Sequence, residues 1–452
     1  MKKLLFLIIL FTYTIAGFSQ KAPSRVKTAD GFIRCDFVEN EKHLKNIDSN
    51  RETKEQFELW IANKIDEIKK DKTNRNANSP AVVINIPVVI HVISNGDAIG
   101  AGENITDAKA LSQITVLNQD FRRMMGTPGF NDSPVGADME INFVMAARKP
   151  DNITSTNGID RVTRTLAQYA TRDQTQTMKT ATQWDPTRYF NMWTVYFSDV
   201  ATDQMNGVLG YAQFPSSSSL SGLNTNGGSA STDGLVVDYR CFGSSALASG
   251  SYFNNYNRGR TTSHEIGHCF GLRHIWGDGN GDEAAGLTDC AASDFCADTP
   301  QAGYEHYTCG NFDTCPEIAG SDMVQNYMDY TNDACMNIFT LDQKSRVQAV
   351  LTNSPRRNTL ATSNAATPLN IESYNINNFY IFPNPAKDII GIALQTAVDR
   401  YEIFNNLGQR IASDSVQNDL EFTINVTQYS VGIYYIKVYK DNETKTQKFL
   451  KN

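Results

Sequence analysis

Residues His264 to His274, reading HEIGHCFGLRH, bring three imidazoles and one carboxylate to where a single metal ion can use all four. His264 and His268 are four residues apart, so on a helix they share a face, with Glu265 projecting beside them. Gly271 can take the positive φ that ends the helix sharply and lets His274 return as a third nitrogen ligand. Three histidines leave the fourth zinc position open to water, the pattern of a catalytic rather than a structural site, and Glu265 is then the general base for that water. A single histidine is more often a packed or surface group. Here the chain has 6 histidines in all, and half of them fall in this window.

These residues need a scaffold, and the flanking sequence supplies one. Ala81 to Ile93 is a β-branched run that predicts a buried strand. Thr106 caps a helix reaching about Met125, with Leu111, Ile114, Leu117 and Phe121 assigned to its apolar face. Further strands are expected at 140–147, 192–197, 208–214 and 234–240, with a Ser-, Asn- and Gly-rich loop between the last two. Strand, helix, several strands and then the metal helix make an α/β (α+β) domain with a twisted mixed sheet. His91 and His306 fall outside the motif and are assigned structural or surface roles.

The chain of 452 residues exceeds one typical domain, and a net charge of −8 with no basic run excludes a nucleic-acid surface. Met1-Lys-Lys followed by the apolar stretch Leu4 to Ala16 has the length of a signal peptide, with cleavage expected after Ser19, and no later window is apolar enough to span a bilayer. Export makes disulfides the default for cysteines, and seven of the 8 lie between 241 and 335. Cys35 stands apart in a charged, lysine-rich segment from 20 to 79, whose stretch Phe57 to Ile68 has helical spacing. That segment reads as a prodomain ending in the polar run Lys72 to Ser79, a proteolytic boundary. A thiolate is a strong zinc ligand, so Cys35, preceded by Arg34, is a candidate to fill the open coordination position and keep a zymogen inactive.

The extended motif resembles the metzincin clan of zinc endopeptidases, in which a methionine turn lies beneath the metal. NYMDY at 326–330 fits that turn, which makes Met328 its base and places Tyr330 to swing toward the zinc. GLRHIWGDG at 271–279, ADTP at 297–300 and the run from 326 to 347 are similar to the pappalysin family. The resemblance implies disulfides Cys290–Cys315 and Cys309–Cys335. Of the remaining trio Cys241, Cys269 and Cys296, at most one pair can close, and Cys269–Cys296 is the candidate. ADTP matches a family signature associated with structural calcium, which nominates Asp298 and Thr299. The acidic run 278–289 departs from an EF-hand at Glu283, where Gly is required, and is read as a solvated loop. Relatives in the family often prefer a basic residue after the scissile bond, with Asp333 as the candidate acidic partner, although Ala334 departs from an alternative placement of that residue. Strand 208–214 is the expected sheet edge for an extended peptide substrate.

Beyond a polar linker, 361–373, residues 374–452 alternate short β-rich runs with turns. Phe379 to Ala386, Tyr401 to Gln409 and Val431 to Val438 are similar to the C-terminal sorting domain of the type IX secretion system. That implies an all-β sandwich read by the type IX machinery. The expected order is thus signal peptide 1–19, prodomain 20–79, metzincin-like catalytic domain 80–360, linker 361–373 and sorting domain 374–452. The expected function is a secreted or cell-surface zinc-dependent endopeptidase, carrying one catalytic zinc and structural calcium and acting on protein or peptide substrates. The competing expectation is a non-catalytic, zinc-bearing surface adhesin or binding protein exported by the same signal.

Overall fold

The computed structural model describes residues 27–28, 30–49, 51–74, 83–216, 230–369, 379–394, 396–417, 419–440 and 443–452. The expected signal peptide and its cleavage point, the end of the polar run 72–79 and most of the loop after Pro215 lie outside them. The chain divides into two units, 1–368 and 369–452.

The first unit begins with helices α1 (Phe37–Ile47) and α2 (Lys54–Asn74). Next come β1 (Ile84–Ser94), α3 (Asp107–Phe121), β2 (Ile141–Met145), β3 (Ile159–Thr163), α4 (Arg172–Thr182), β4 (Phe190–Val195), β5 (Gly210–Ala212) and β6 (Leu235–Asp238). Helices α5 (Arg260–Cys269), α6 (Leu341–Asn353) and α7 (Arg357–Leu360) complete the unit. The sheet runs β2-β1-β4-β6-β5, and β3 also pairs with β1. All of its pairings are parallel except β5 against β6, so the edge strand alone runs the other way. Strand β1 is central and buried from Ile86 to Ser94, as its β-branched run requires.

Helix α3 is capped by the Thr106 side chain, which accepts from the Lys109 amide. Its buried face is Ala110, Ile114, Leu117 and Phe121, while Leu111, expected on that face, is 43% exposed. Positions 110, 114, 117 and 121 keep the 3.6-residue period, and Leu111 lies about 100° off it. Strand β3 and helix α4 escaped the sequence reading. The β3 strand IDRVT carries two charged residues and is only half-buried, so it lacks an apolar signal.

Every residue of α5 is buried, although its sequence RTTSHEIGHC is largely polar. Three of its polar side chains are met by α3. Ser263 donates to Asp120 at 2.7 Å, Arg260 pairs with the same carboxylate at 3.2 Å, and Thr262 donates to Gln113 at 3.0 Å. Buried polar groups stay favourable only when paired in this way, so the contacts fix the orientation of the helix that carries His264 and His268.

The second unit is all-β: β7 (Tyr380–Phe382), β8 (Ile389–Ala393), β9 (Arg400–Asn405), β10 (Arg410–Ser415), β11 (Glu421–Asn425), β12 (Gly432–Lys440) and β13 (Glu443–Lys451). Sheets β10-β9-β12-β13 and β11-β8-β7 are antiparallel and enclose a core that includes Ile390, Ile392, Ile403, Ile436, Val438 and Phe449. This is the β-sandwich that the resemblance to the sorting domain implies.

Candidate metal centre

Helix α5 presents His264 and His268 one turn apart, and the chain reverses at Gly271, whose φ is +87°. A side chain there would sit in the disfavoured left-handed region and its Cβ would meet Val350 at 2.7 Å. The reversal brings His274 back, so that its Nε2 lies 3.0 Å from that of His268, which is 3.1 Å from that of His264. Each Nδ1 donates outward: His264 to the Tyr327 carbonyl at 2.7 Å, His268 to the Leu272 carbonyl at 2.8 Å, and His274 to the Asp278 carboxylate. With the protons committed to Nδ1, three Nε2 lone pairs face one another with no hydrogen to share. A tetrahedral zinc with Zn–N of about 2.0–2.1 Å needs nitrogens roughly 3.3–3.4 Å apart, so the donor set fits such an ion. Burial holds His264 and His268 well below the usual imidazole range, in the neutral form that binds metal.

Asp278 is not part of a solvated loop, as the reading of 278–289 had it. Its side chain is 11% exposed and orients His274, and despite its burial the histidine and Arg273 hold its carboxyl far below the usual range. Carboxylates behind metal-binding histidines fix ring orientation and raise ligand basicity. Its place four residues after His274 was the available signal. Trp276 stacks on His274 with ring centroids 4.4 Å apart and was also missed.

Met328 is fully buried against α5. A Cβ on Gly267 would lie 2.3 Å from the Met328 sulfur, so the helix and the methionine turn touch through a residue that must lack a side chain. Tyr330 packs against His274 at 4.8 Å, and its hydroxyl donates to the Cys35 carbonyl at 3.4 Å. Both carboxylate oxygens of Glu265 are buried without a conventional hydrogen bond. Burial pushes the Glu265 carboxyl up to about 8, with the Cys35 thiol and Arg34 beside it pulling the other way.

Cys35 joins the three histidines: the four ligand atoms lie within 4.8 Å of one another. The segment bearing it follows the sheet edge. Ile33 bridges Val208 in parallel, its amide donates to the Gly207 carbonyl at 2.8 Å, and the Leu209 amide donates to the Ile33 carbonyl at 3.0 Å. Beyond Cys35, the Asp36 amide donates to the Gly210 carbonyl at 2.9 Å and Phe37 stacks on His268 at 4.0 Å. Arg34 turns the other way into a buried pocket, where it pairs with Asp333 at 3.2 Å, lies over the Tyr256 ring at 4.8 Å and donates to Thr261. Asp333 also accepts from the Arg258 amide at 2.8 Å and the Arg260 amide at 3.2 Å. A second anchor was invisible in the sequence. Glu58 of α2 takes Arg346 at 2.7 Å and Arg273 at 2.7 Å, all three buried, and although burial opposes it these two cations hold the carboxyl below its usual range.

The structure joins Cys290 to Cys315 and Cys309 to Cys335. Cys269 and Cys296 are free and buried, as are Cys35 and Cys241, which corrects the expected Cys269–Cys296 bond. Cys269 ends α5 with its carbonyl accepting from Arg357, whereas Cys296 packs beside Asp294 and Arg346 in the loop before α6, so the two thiols occupy different environments. Asp298 accepts from the Asp342 amide through one oxygen and keeps the other buried without a partner. The Thr299 hydroxyl is committed to Asp294 at 2.8 Å and the Cys296 carbonyl at 2.8 Å. Among the described residues, the centre at His264 is the one group of three or more histidine, cysteine or acidic side chains placed to hold a metal. His91 lies between Asp160 and Asn191 in the sheet, and His306 between Asp322 and Asp329, both structural positions.

Residues 172–352 match the family model described as pregnancy-associated plasma protein-A, and residues 380–452 that of the secretion system C-terminal sorting domain. An extracellular metalloprotease of Verticillium alfalfae is 30% identical over 280 residues, covering 62% of this chain and 81% of that protein. One from Podospora anserina is 28% identical over 339 residues, 75% of this chain and 94% of that protein. Mature mirolysin of Tannerella forsythia, solved with a cleaved peptide, superposes with TM-score 0.53 at 35% identity, covering 64% of this chain and all of that one. A promirolysin mutant from the same organism gives 0.52 at 32% identity, covering 68% and 93%. No helix among the described residues is long and apolar enough to cross a membrane. Similarity of this extent, over the segment that builds the three-histidine centre, makes the chain a member of the pappalysin family of metalloproteases, sent to the cell surface or beyond by its C-terminal sorting domain.

Proposed function

We propose that the protein is a zinc-dependent endopeptidase held latent by its own N-terminal segment. His264, His268 and His274 hold the ion, which when bound supplies Lewis-acid polarisation of the scissile carbonyl and acidifies water beside it. Glu265 accepts the proton of the attacking water and delivers it to the leaving amine. The observation that carries this reading is the Glu265 carboxylate, buried with both oxygens free of conventional partners next to three converging Nε2 atoms. An uncompensated buried carboxylate is costly, and a proton-transfer role explains why it stands there. Tyr330, once freed from the Cys35 carbonyl, donates to the developing oxyanion. Met328 serves as the packed base of the site.

In the latent form, residues 20–79 are the prodomain and Cys35 is the fourth ligand. The Arg34–Asp333 pair supports selection by Asp333 of a basic residue in substrates, and the backbone bonds of Ile33 and Asp36 to the edge at 207–210 support pairing of that edge with the substrate backbone. The free buried oxygen of Asp298 supports a structural calcium with Thr299 nearby, tested by a calcium-dependent rise in melting temperature. The type IX machinery is the partner of residues 374–452. The catalytic reading is tested with Glu265→Ala. The variant should retain zinc and the wild-type fold but lose more than about 10²-fold of casein and peptide cleavage, the lower bound for general-base catalysis. Near-normal turnover by a zinc-loaded variant refutes it.

A further inference from the structure

Beside the metal centre lies a cavity of about 160 Å³, lined on the catalytic side by Trp276, Asp278, Glu305, Tyr307 and Tyr330 and closed on the other by the Cys35 segment. Glu305 dominates its chemistry. The residue is 5% exposed, yet among the described residues no lysine, arginine or histidine forms an ion pair with it; its carboxylate accepts from its own backbone amide and from the Tyr307 hydroxyl at 3.4 Å. Asp282 and Asp329, the latter paired with His306, repel its charge, and burial followed by these repulsions raises its carboxyl to about 7. A carboxylate buried without a counter-charge is expensive to keep, and a cation entering the cavity would supply the charge it lacks.

The walls suit the same visitor. Trp276 and Tyr330 meet edge to face at 4.7 Å, and Tyr307 lies 6.0 Å from Tyr330, so aromatic surface borders the carboxylate on the side facing the metal centre. Aromatic faces with a carboxylate attract ammonium and guanidinium groups. The volume is roughly half the lower limit of about 300 Å³ for pockets that take whole small molecules, which leaves room for one side chain. A metal ion is a poorer fit, because the oxygens of Glu305, Asp282 and Asp329 do not converge as the ligands at His264 do. Among its described residues the proposed prodomain supplies no cation here either. Lys42 reaches the rim, but its ammonium is 2.7 Å from Glu39 of its own helix.

We propose that Glu305, walled by Trp276, Tyr307 and Tyr330, is a second subsite for a lysine or arginine side chain of the substrate, separate from the Asp333 pocket that Arg34 fills. It opens to the cleft when the Cys35 segment leaves. The inference rests on the peptidase reading and on that departure. It predicts that the enzyme favours peptides with two basic residues, one for each carboxylate.

The test uses the mature enzyme and quenched fluorescent peptides that keep one arginine for Asp333 while each other position is varied between lysine and norleucine, which has nearly the same length without the charge. Wild type should prefer lysine at one further position by about ten- to a hundredfold in kcat/KM, the worth of a charged hydrogen bond. Glu305→Gln should collapse that lysine-to-norleucine ratio toward one while the arginine preference persists. Should the glutamine variant fail to fold, Glu305→Asp, which keeps the charge but withdraws it, must reduce the ratio. A wild-type enzyme indifferent to lysine everywhere outside the Asp333 position, or a folded Glu305 variant with the ratio intact, overturns the subsite. A wild-type enzyme that cleaves none of the peptides refutes the peptidase reading instead.

Discussion

Replacing Arg34 by alanine tests the proposal that the N-terminal segment is a prodomain held on the cleft. Arg34 and Asp333 are buried and 3.2 Å apart, so the substitution leaves a carboxylate in the interior without its cation. Breaking a buried pair from one side costs about 3–5 kcal/mol. Asp333 keeps two backbone donors, the amides of Arg258 and Arg260, which places the expected loss near the lower end, about 3 kcal/mol. At 1.36 kcal/mol per decade, that raises the population of precursor with an open cleft by roughly 10²-fold. If opening is fast compared with cleavage, self-processing accelerates in proportion. The assay is a gel time course of purified precursor beside hydrolysis of a fluorogenic peptide, with Cys35→Ala for comparison, which on the proposed reading should also mature without an added protease because the fourth ligand is gone. Arg34→Ala precursor that is folded, zinc-loaded and within threefold of wild-type latency refutes the argument.

Glu58→Ala strips the carboxylate from two buried arginines and should cost about 3–5 kcal/mol, a fall in melting temperature on the order of 10 °C, measured in the Glu265→Ala precursor to prevent self-cleavage. An unchanged melting point removes α2 from the anchoring of the precursor. His306 is held at about 10 by Asp322 and Asp329 against the opposing effect of burial. A raised histidine stabilises fully below its unfolded value of about 6.5 and loses that contribution as pH climbs toward 10, so the stability gap between wild type and His306→Asn should narrow across this window. A gap that widens over the same range contradicts the sign. Deleting 371–452 should leave a foldable peptidase that accumulates in the periplasm, followed by fractionation and casein hydrolysis in a host with the type IX system; wild-type levels in the medium refute the sorting role.

Local spacing was enough to nominate the three histidines of the centre. An interval of four puts His264 and His268 on one helical face whatever the rest of the chain does, and Gly271 is legible because a non-glycine residue strains at positive φ. The buried strand at 84–94 and the Thr106 cap were readable for the same reason, being properties of neighbours in sequence. Polar or charged elements were not. Strand β3 lacked an apolar pattern, and α5 is buried all round only because Asp120 and Gln113 of α3 meet its hydroxyls and Arg260.

Distant pairing belonged to the tertiary structure. Arg34 meets Asp333 across 299 residues of sequence and Glu58 meets Arg346 across 288, and no local rule couples such positions. The sequence left Cys269 and Cys296 as a candidate pair because both stood unassigned, and folding places one at the end of α5 and the other in the loop before α6. Asp278 carried the composition of a solvated loop, and only the return of His274 to the centre brought that carboxylate behind the ring. Residue type and short-range geometry are written in the chain itself, whereas burial and partnership are set by which distant surfaces the fold closes on one another, and those decide whether a carboxylate is solvated, orients a ligand or waits for a cation.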